Sequence, residues 1–366
     1  MHGITFFTLA LAAAAAANAD ELYSADKEGY GRWAAKYNRH TKPTGGQLRA
    51  WMENRAFVSK HNADASNTWV AELNAYGDMT NEEFKEKILM KKAFHPTEGG
   101  EQHNLKKAPR LSDPAESFDW KGTGAVLPVQ DQGFVGTCWA FSTTANIEGQ
   151  VFQSTNTTMK LAEEYFVDCD GQADYDLNHA DCSIFGGWPY LAYQFVTNSG
   201  GIPSEESYPY CAGTGECYPC MQGPEKLCGP PPYYCDRERD LLCKNFTPAA
   251  QVIDWRAVST DESEILDDLV ATGPLSILLD AQGLQYYKSG VWNGKSESRS
   301  HGLGCSSKNL DHAVLLTGYG VDASTGEKYW NVKNSWSESW GEDGYFRIAR
   351  GEGMCGMNTA VTTAIM

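Results

Sequence analysis

Apolar and polar residues are patterned differently in successive stretches of this chain, and each pattern predicts a different structure. Ile4 to Ala17 form a mostly apolar run, closed by Ala17-Asn18-Ala19, whose small residues at alternate positions suit signal peptidase. The run falls short of the ~20 residues needed to span a bilayer, so residues 1–19 read as a signal peptide rather than an anchor. Residues 20–95 mix charged and helix-forming residues with spaced apolar positions such as Trp51, Phe57 and Val58, which predicts a mainly helical segment. Phe94 to Ser117 is polar with little periodicity and reads as an exposed linker of the kind proteases cut. Between Ser142 and Gln153, the residues Thr144, Ile147 and Val151 recur at helical spacing. Two later stretches, "HAVLLTGYG" from His312 and "KYWNVKNSW" from Lys328, have the short, aromatic and β-branched character of strands.

Composition sharpens this picture. A chain of 366 residues with 42% hydrophobic content can fill the cores of two packed lobes behind a prosegment. All eleven cysteines lie from Cys138 onward, which marks a domain boundary in the region before it. In an oxidising secretory compartment most of them should pair, and the odd number leaves at least one thiol over. The net charge of −17 argues against a nucleic-acid partner, because such binders concentrate Lys and Arg. Sequons at Asn156 and Asn245 fit the secretory route.

The candidate chemistry starts at Cys138, in "QDQGFVGTCWAFSTT", between a glycine-rich turn and the start of the predicted helix. A helix N-terminus and a nearby imidazolium both lower a thiol's pKa and make it a nucleophile, whereas a lone cysteine is otherwise a structural thiol. Three histidines follow it: His179, His301 and His312. His312 opens an apolar strand, where packing can fix its ring for base catalysis, although a buried core histidine looks the same in sequence. Asn334 follows a strand and precedes two tryptophans, a setting that can hold an imidazole's tautomer or simply make a turn.

Taken in order, "DQGFVGTCWAFS", "LDHAVLLTGYG" and "KNSWSESWGEDGYFRIARG" closely resemble the papain-like cysteine peptidases, the cathepsin L group in particular. The resemblance covers nearly the whole chain. It implies an α+β, two-lobed papain-like fold: a helical lobe opening with the Cys138 helix, an antiparallel β-barrel lobe carrying His312 and Asn334, and a cleft between them. By the same resemblance Cys138 is the nucleophile, His312 the general base, Asn334 its orienting residue, and Gln132 the side-chain donor of the oxyanion hole. Substrate binding maps to Gly136, Gly186, Gly187, Trp188, Pro189, Leu278, Leu310, Asp311, Ala313, Trp336 and Ala360. The pocket lining among these is apolar, which predicts Leu, Phe or Val one residue before the scissile residue. The reaction implied is endopeptidase cleavage through a Cys138 thioester, with no cofactor and no metal. Expected partners are protein and peptide substrates, the chain's own propeptide and cystatin-like inhibitors. The protein is expected to be a monomer in a lysosome or acidic vacuole, or outside the cell.

The N-terminal segment carries its own resemblance. "ELNAYGDMTNEEF" matches the family's prosegment motif at Asn74, Tyr76 and Asp78, with Glu72 where glycine is usual. The companion helical motif keeps Trp51, Asn54, Val58 and Asn62, but Gln47 and Pro43 stand where Arg and Glu are usual, so its ionic pair is expected to be missing. Residues 20–113 therefore read as an inhibitory propeptide and 114–366 as the mature domain, with processing within 108–117.

The chain also departs from the family. Val135 replaces a cysteine three residues before the nucleophile, so Cys182 loses its usual partner. Residues 211–243, "CAGTGECYPCMQGPEKLCGPPPYYCDRERDLLC", form a cysteine-rich insertion. The resemblance implies the disulfides Cys305–Cys355 and Cys169–Cys211, and leaves Cys182, Cys217, Cys220, Cys228, Cys235 and Cys243 unassigned. Cys217-x-x-Cys220 reads as a structural staple rather than a zinc or redox site. The insertion has no histidine to act as an occluding loop's carboxylate grip, but Lys226, Arg237, Arg239 and Lys244 keep a carboxypeptidase alternative open. A non-catalytic secreted homologue is the other alternative.

Overall fold

The computed structural model describes residues 26–91, 103–217, 220–231, 237–294 and 304–366. The expected signal peptide, His301 and Cys235 lie outside the described residues, as do the side chains of Arg237 and Arg239. Among the described residues no helix is long and apolar enough to cross a membrane.

The N-terminal segment is helical, as its pattern predicts. Helix α1 covers residues 26–36, α2 Gly45–Ala63 and α3 Asn81–Ile88, with the short strand β1, Trp69–Ala71, between α2 and α3. Thr44 and Thr80 start α2 and α3 with reciprocal capping boxes to Gln47 and Glu83, which satisfy backbone N–H groups the helix leaves unpaired. Tyr30, Trp33, Ala34, Leu48 and Trp51 make a small core between α1 and α2. The two helices approach so closely that a Cβ on Gly29 would meet Trp51 at 2.9 Å. The polar motif residues close the backbone around this core: Asn54 donates to the Gly77 and Met79 carbonyls, and Asn62 exchanges hydrogen bonds with Ala71.

Among the described residues Gln47 makes a neutral hydrogen bond and no ion pair, as expected. The ionic pair expected to be missing at Gln47 is supplied from a different position. Buried Asp78 accepts from Gln47 Nε2 at 3.1 Å and from Tyr30 Oη at 2.9 Å, and Arg39 forms the ion pair at 2.7 Å. Arg39 sits just past the end of α1, so its guanidinium reaches Asp78 from the α1 side rather than from α2.

After this segment come β2, Phe118–Asp119, and then the helical lobe. Its central helix α4, Cys138–Thr155, is buried from Cys138 to Val151 on every side, and α5, Glu163–Cys169, packs against it. A two-stranded hairpin, β3 (Ala173–Asp174) and β4 (His179–Ala180), leads to α6, Pro189–Ser199, with Pro189 at its start, where a missing N–H is tolerated. The insertion contributes two short helices, α7, Glu225–Cys228, and α8, Arg237–Lys244. Strand β5, Asp254–Ala257, and helix α9, Glu262–Thr272, follow. The second lobe is then built from β6 (Leu275–Leu279), β7 (Tyr287–Trp292), β8 (His312–Val321), β9 (Lys328–Lys333), β10 (Tyr345–Ala349) and β11 (Val361–Ile365).

These strands form one sheet in the order β1-β7-β10-β9-β8-β6-β11-β5, with β2 on β8. Among the described residues the strand pairs are antiparallel except β10 with β7, which run parallel. The propeptide's own strand, β1, extends the sheet through Trp69 opposite Gly290.

The disulfides correct one expectation. Cys305 is bonded to Cys355, but Cys169 pairs with Cys243 and Cys211 with Cys217, so the implied Cys169–Cys211 bond does not form. The cause lies on α5. Glu164 accepts the N–H groups of both Cys211 and Ala212, anchoring that segment five residues before Cys169, about 7 Å away along the helix axis. The position beside Cys169 is taken instead by Cys243 at the end of the insertion. Cys182, lacking a partner at Val135, bonds to Cys228 in α7. The two cysteines of Cys217-x-x-Cys220 are both in disulfides, and not with each other. Cys138 is the free cysteine among the described residues.

Candidate active site

The cleft chemistry is assembled by the N-terminus of α4, the start of β8 and the end of β9. Cys138 is the first residue of α4. No acidic side chain stands in that helix's first turn and Thr137 makes no side-chain cap, so its partial positive end remains uncompensated. Gly136, just before, admits two backbones at once: a Cβ there would lie 3.0 Å from both the Ile184 and the Leu89 carbonyl oxygens.

His312 comes to Cys138 through the sheet. It opens β8 opposite Leu279 of β6, and its neighbour Ala313 donates its N–H to Cys138 Sγ at 3.5 Å. The antiparallel β8–β9 ladder pairs Leu315 with Lys333, so the residues just past β9 face the beginning of β8. Asn334 is there, its Oδ1 2.8 Å from His312 Nε2, and Trp336 stacks on the imidazole at 4.7 Å. Among the described residues the other ring nitrogen, Nδ1, has no hydrogen-bond partner. Gln132 is buried 2.6 Å from Ser335 Oγ, which donates to its Oε1 and fixes the amide orientation, so that Nε2 faces the cleft.

The propeptide fills this site. The amide of Gln132 donates to the carbonyl of Ile88, the last residue of α3, at 3.0 Å, and to Val135 at 2.7 Å. Beyond α3 the chain continues through the cleft: Met90 N–H donates to Asp311 O at 2.9 Å and Lys91 N–H to Phe185 O at 3.0 Å. The Met90 side chain is buried in one cluster with Cys138, Trp188, Leu278, Leu310, Ala313 and Ala360, most of the expected specificity pocket. Gly186, at φ +129°, leaves room for it, since a Cβ there would meet Met90 at 3.0 Å. Gly187 packs against Trp139 and Asp181, and Pro189 opens α6.

Burial shifts both groups of the pair. It pushes the Cys138 thiol up to about 12 and the His312 imidazole down to about 4, so both groups are neutral in this state. Burial and the charge of Asp280 together raise Asp311 to about 7.

Several contributors escape motif reading. Ser335 is in the family motif but its grip on Gln132 is visible only in three dimensions. Met90, Arg39 and a pair of buried carboxylates, Asp170 and Asp181, carry no sequence signal of their own. Asp181 accepts the Trp188 N–H at 2.7 Å, directly beneath the cleft wall.

Residues 114–365 match the family described as papain family cysteine protease, and residues 30–84 match the cathepsin propeptide inhibitor domain. The chain belongs to the papain family of cysteine proteases. It is 32% identical to procathepsin L of Mus musculus over 363 residues, covering 95% of this chain and 93% of that one. It is 34% identical to cathepsin L2 of Homo sapiens over 345 residues, covering 90% of each. Among solved structures, digestive procathepsin L 3 of Tenebrio molitor larval midgut superposes with a TM-score of 0.70 at 27% identity, covering 93% of this chain and 99% of that one. The particular form is thus a cathepsin L-like zymogen with its inhibitory propeptide in place.

Proposed function

We propose that the mature domain is a cysteine endopeptidase in which Cys138 attacks the peptide carbonyl, Gln132 Nε2 and the Cys138 N–H hold the oxyanion, and His312 moves the proton. With the propeptide gone, solvation favours transfer of the thiol proton to His312 Nδ1, producing a thiolate–imidazolium pair. The thiolate adds to the carbonyl carbon, His312 returns the proton to the departing amine, and a thioester remains on Cys138. Water, deprotonated by His312, then releases the acid and restores the thiol. Asn334 acts on His312 by holding Nε2.

The observation that carries this reading is the imidazole's wiring: Nε2 is held by Asn334, Nδ1 is unpartnered among the described residues, and the adjacent Ala313 N–H touches Cys138 Sγ. The burial of Met90 among apolar residues supports a preference for an apolar side chain one residue before the scissile residue. The disulfides and the exposed sequons at Asn156 and Asn245 support transit through the secretory pathway, toward an acidic organelle or the exterior. Cystatin-like inhibitors would compete for the same cleft. Processing within 108–117 would separate propeptide and mature domain after the helical segment and before β2, Phe118–Asp119.

The test is cleavage of fluorogenic Phe-Arg and Arg-Arg dipeptides by the acid-processed protein and by Cys138→Ala. Cleavage of Phe-Arg well above Arg-Arg, abolished in the variant, is expected. Equal rates would remove the apolar pocket, and persistence of activity in Cys138→Ala would remove the nucleophile.

A further inference from the structure

We infer that the cysteine-rich insertion supplies one wall, through Leu227 and Pro230, of the subsite for the residue two before the scissile residue, and that this wall makes the subsite select a large apolar side chain. The inference rests on the endopeptidase reading above.

A cavity of about 320 Å³ lies beside the Gly186–Trp188 wall. One side is that wall, with Phe185 and Trp188. The other is the insertion, with Leu227, Pro230 and the Cys182–Cys228 disulfide. The volume is within the range of sites that bury a ligand group, about 300–1,000 Å³. The wall is firm. Leu227 and Cys182 belong to a separate buried cluster with Ala180 and Met221, and the disulfide ties α7 to the residue that begins the turn toward Gly186.

The propeptide indicates what reaches this cavity. Met90 fills the specificity pocket, and the next residue, Lys91, lies at the cavity. Its N–H bonds the Phe185 carbonyl, and its ammonium rests 4.3 Å over the Phe185 ring. A substrate residue adjacent to the one in the Met90 pocket, on the side away from Cys138, would occupy the same place. Once the propeptide leaves, Lys91 leaves with it, and among the described residues no charged side chain remains in the lining. Leu or Phe there would shed water against Phe185, Leu227 and Pro230, while Gly would leave the cavity empty and Glu would enter an apolar site without a cation.

The test uses the acid-processed enzyme and capped peptides X-Leu-Arg-fluorophore, with X as Gly, Leu, Phe or Glu. Expected kcat/KM is about tenfold higher for Phe or Leu than for Gly, and lowest for Glu. Leu227→Ala and the surface variant Pro230→Glu should each cut the Phe-to-Gly ratio at least about threefold. The Leu-to-Gly ratio at the neighbouring position, measured in the same variants, should stay at its wild-type value, which a general loosening of the fold would not permit. Rates within twofold across all four X residues, or a wild-type Phe-to-Gly ratio in both variants, would overturn the subsite while leaving the endopeptidase intact. Cleavage of none of the peptides would overturn the endopeptidase reading and this inference with it.

Discussion

The ion pair at Asp78 yields the sharpest quantitative prediction for the propeptide. The carboxylate is 1% exposed and takes three donors, of which only Arg39, 18% exposed, is charged. Arg39 also lies over the ring of Phe134 in the mature domain at 4.7 Å, so it connects the α1–α2 core both to the prosegment turn and to the cleft loop. Arg39→Gln leaves a buried carboxylate with two neutral donors. Losing a hydrogen bond to a charged group costs about 1.5–3 kcal/mol, and orphaning one partner of a fully buried pair about 3–5. Because Arg39 keeps some solvent, about 2–3 kcal/mol applies, or about 30- to 150-fold in an opening equilibrium. Gln47→Ala, which removes one neutral donor at 3.1 Å, should cost only about 1 kcal/mol.

The assay is native-state amide exchange on the full zymogen silenced by Cys138→Ala, which cannot process itself. In Arg39→Gln, amides of α1 and α2 should exchange about 30- to 150-fold faster, while those of α4 and β8 keep their rates. A change under threefold in α2, or a larger effect from Gln47→Ala than from Arg39→Gln, would refute the assignment of Arg39 as the charge that replaces the family arginine.

Three further outcomes follow from the site. With its pKa pushed to about 12 by burial, Cys138 stays a thiol across neutral pH in the zymogen, so alkylation by iodoacetamide should accelerate at least about 100-fold once the propeptide is removed; equal rates in the two forms, read by mass spectrometry, would refute this. Gln132→Ala should lower kcat of the processed enzyme by about 10²–10³ with little change in folding temperature, and a loss below fivefold would deny it the oxyanion role. Asp170 and Asp181 are both raised by burial, Asp170 to about 7, and their mutual repulsion raises Asp181 further. The folded pair therefore holds its proton more tightly than the unfolded chain, whose carboxyls titrate near 3.8, and stability is lost as pH rises from there toward about 7. In Asp181→Asn, which keeps an acceptor for the Trp188 N–H, the fall of Tm between pH 5 and 8 should flatten by about one proton's worth of slope; an unchanged slope would exclude the pair as its source.

What the sequence disclosed and what it withheld divide along the range of the interactions. The α4 periodicity and the β8 and β9 strands are local patterns, and they read correctly. The site residues could be named because the residues flanking Cys138, His312 and Asn334 form extended motifs, each far more specific than a lone Cys, His or Asn. Arg39 was invisible because its partner Asp78 is 39 residues away and in a different element. Cys169–Cys243 was misread because a disulfide depends on where an insertion folds back, and the anchoring of Cys211 by Glu164 is a tertiary hydrogen bond with no sequence signature. The raised carboxyls Asp170 and Asp181 likewise exist only once burial brings them together.

Two features of the chain's cross-linking converge on the cleft wall. Val135 removes the cysteine that would normally tie Cys182 to the loop of the nucleophile, and Cys182 is bonded to Cys228 instead. A cross-link that would have joined two parts of the cleft floor therefore joins the floor to the insertion. The loop holding the nucleophile keeps its position by other means: Gly136 N–H bonds Ile184 O at 2.8 Å, Thr137 Oγ1 meets Tyr210 Oη at 2.9 Å, and Tyr210 also donates to the Gln132 carbonyl at 2.7 Å. Hydrogen bonds thus position Cys138 and Gln132, which frees the disulfide to position the insertion. The redirected bond places Leu227 and Pro230 beside the Gly186–Trp188 wall, so the valine at residue 135 and the insertion's share of the subsite belong to one rearrangement of the chain's cross-links.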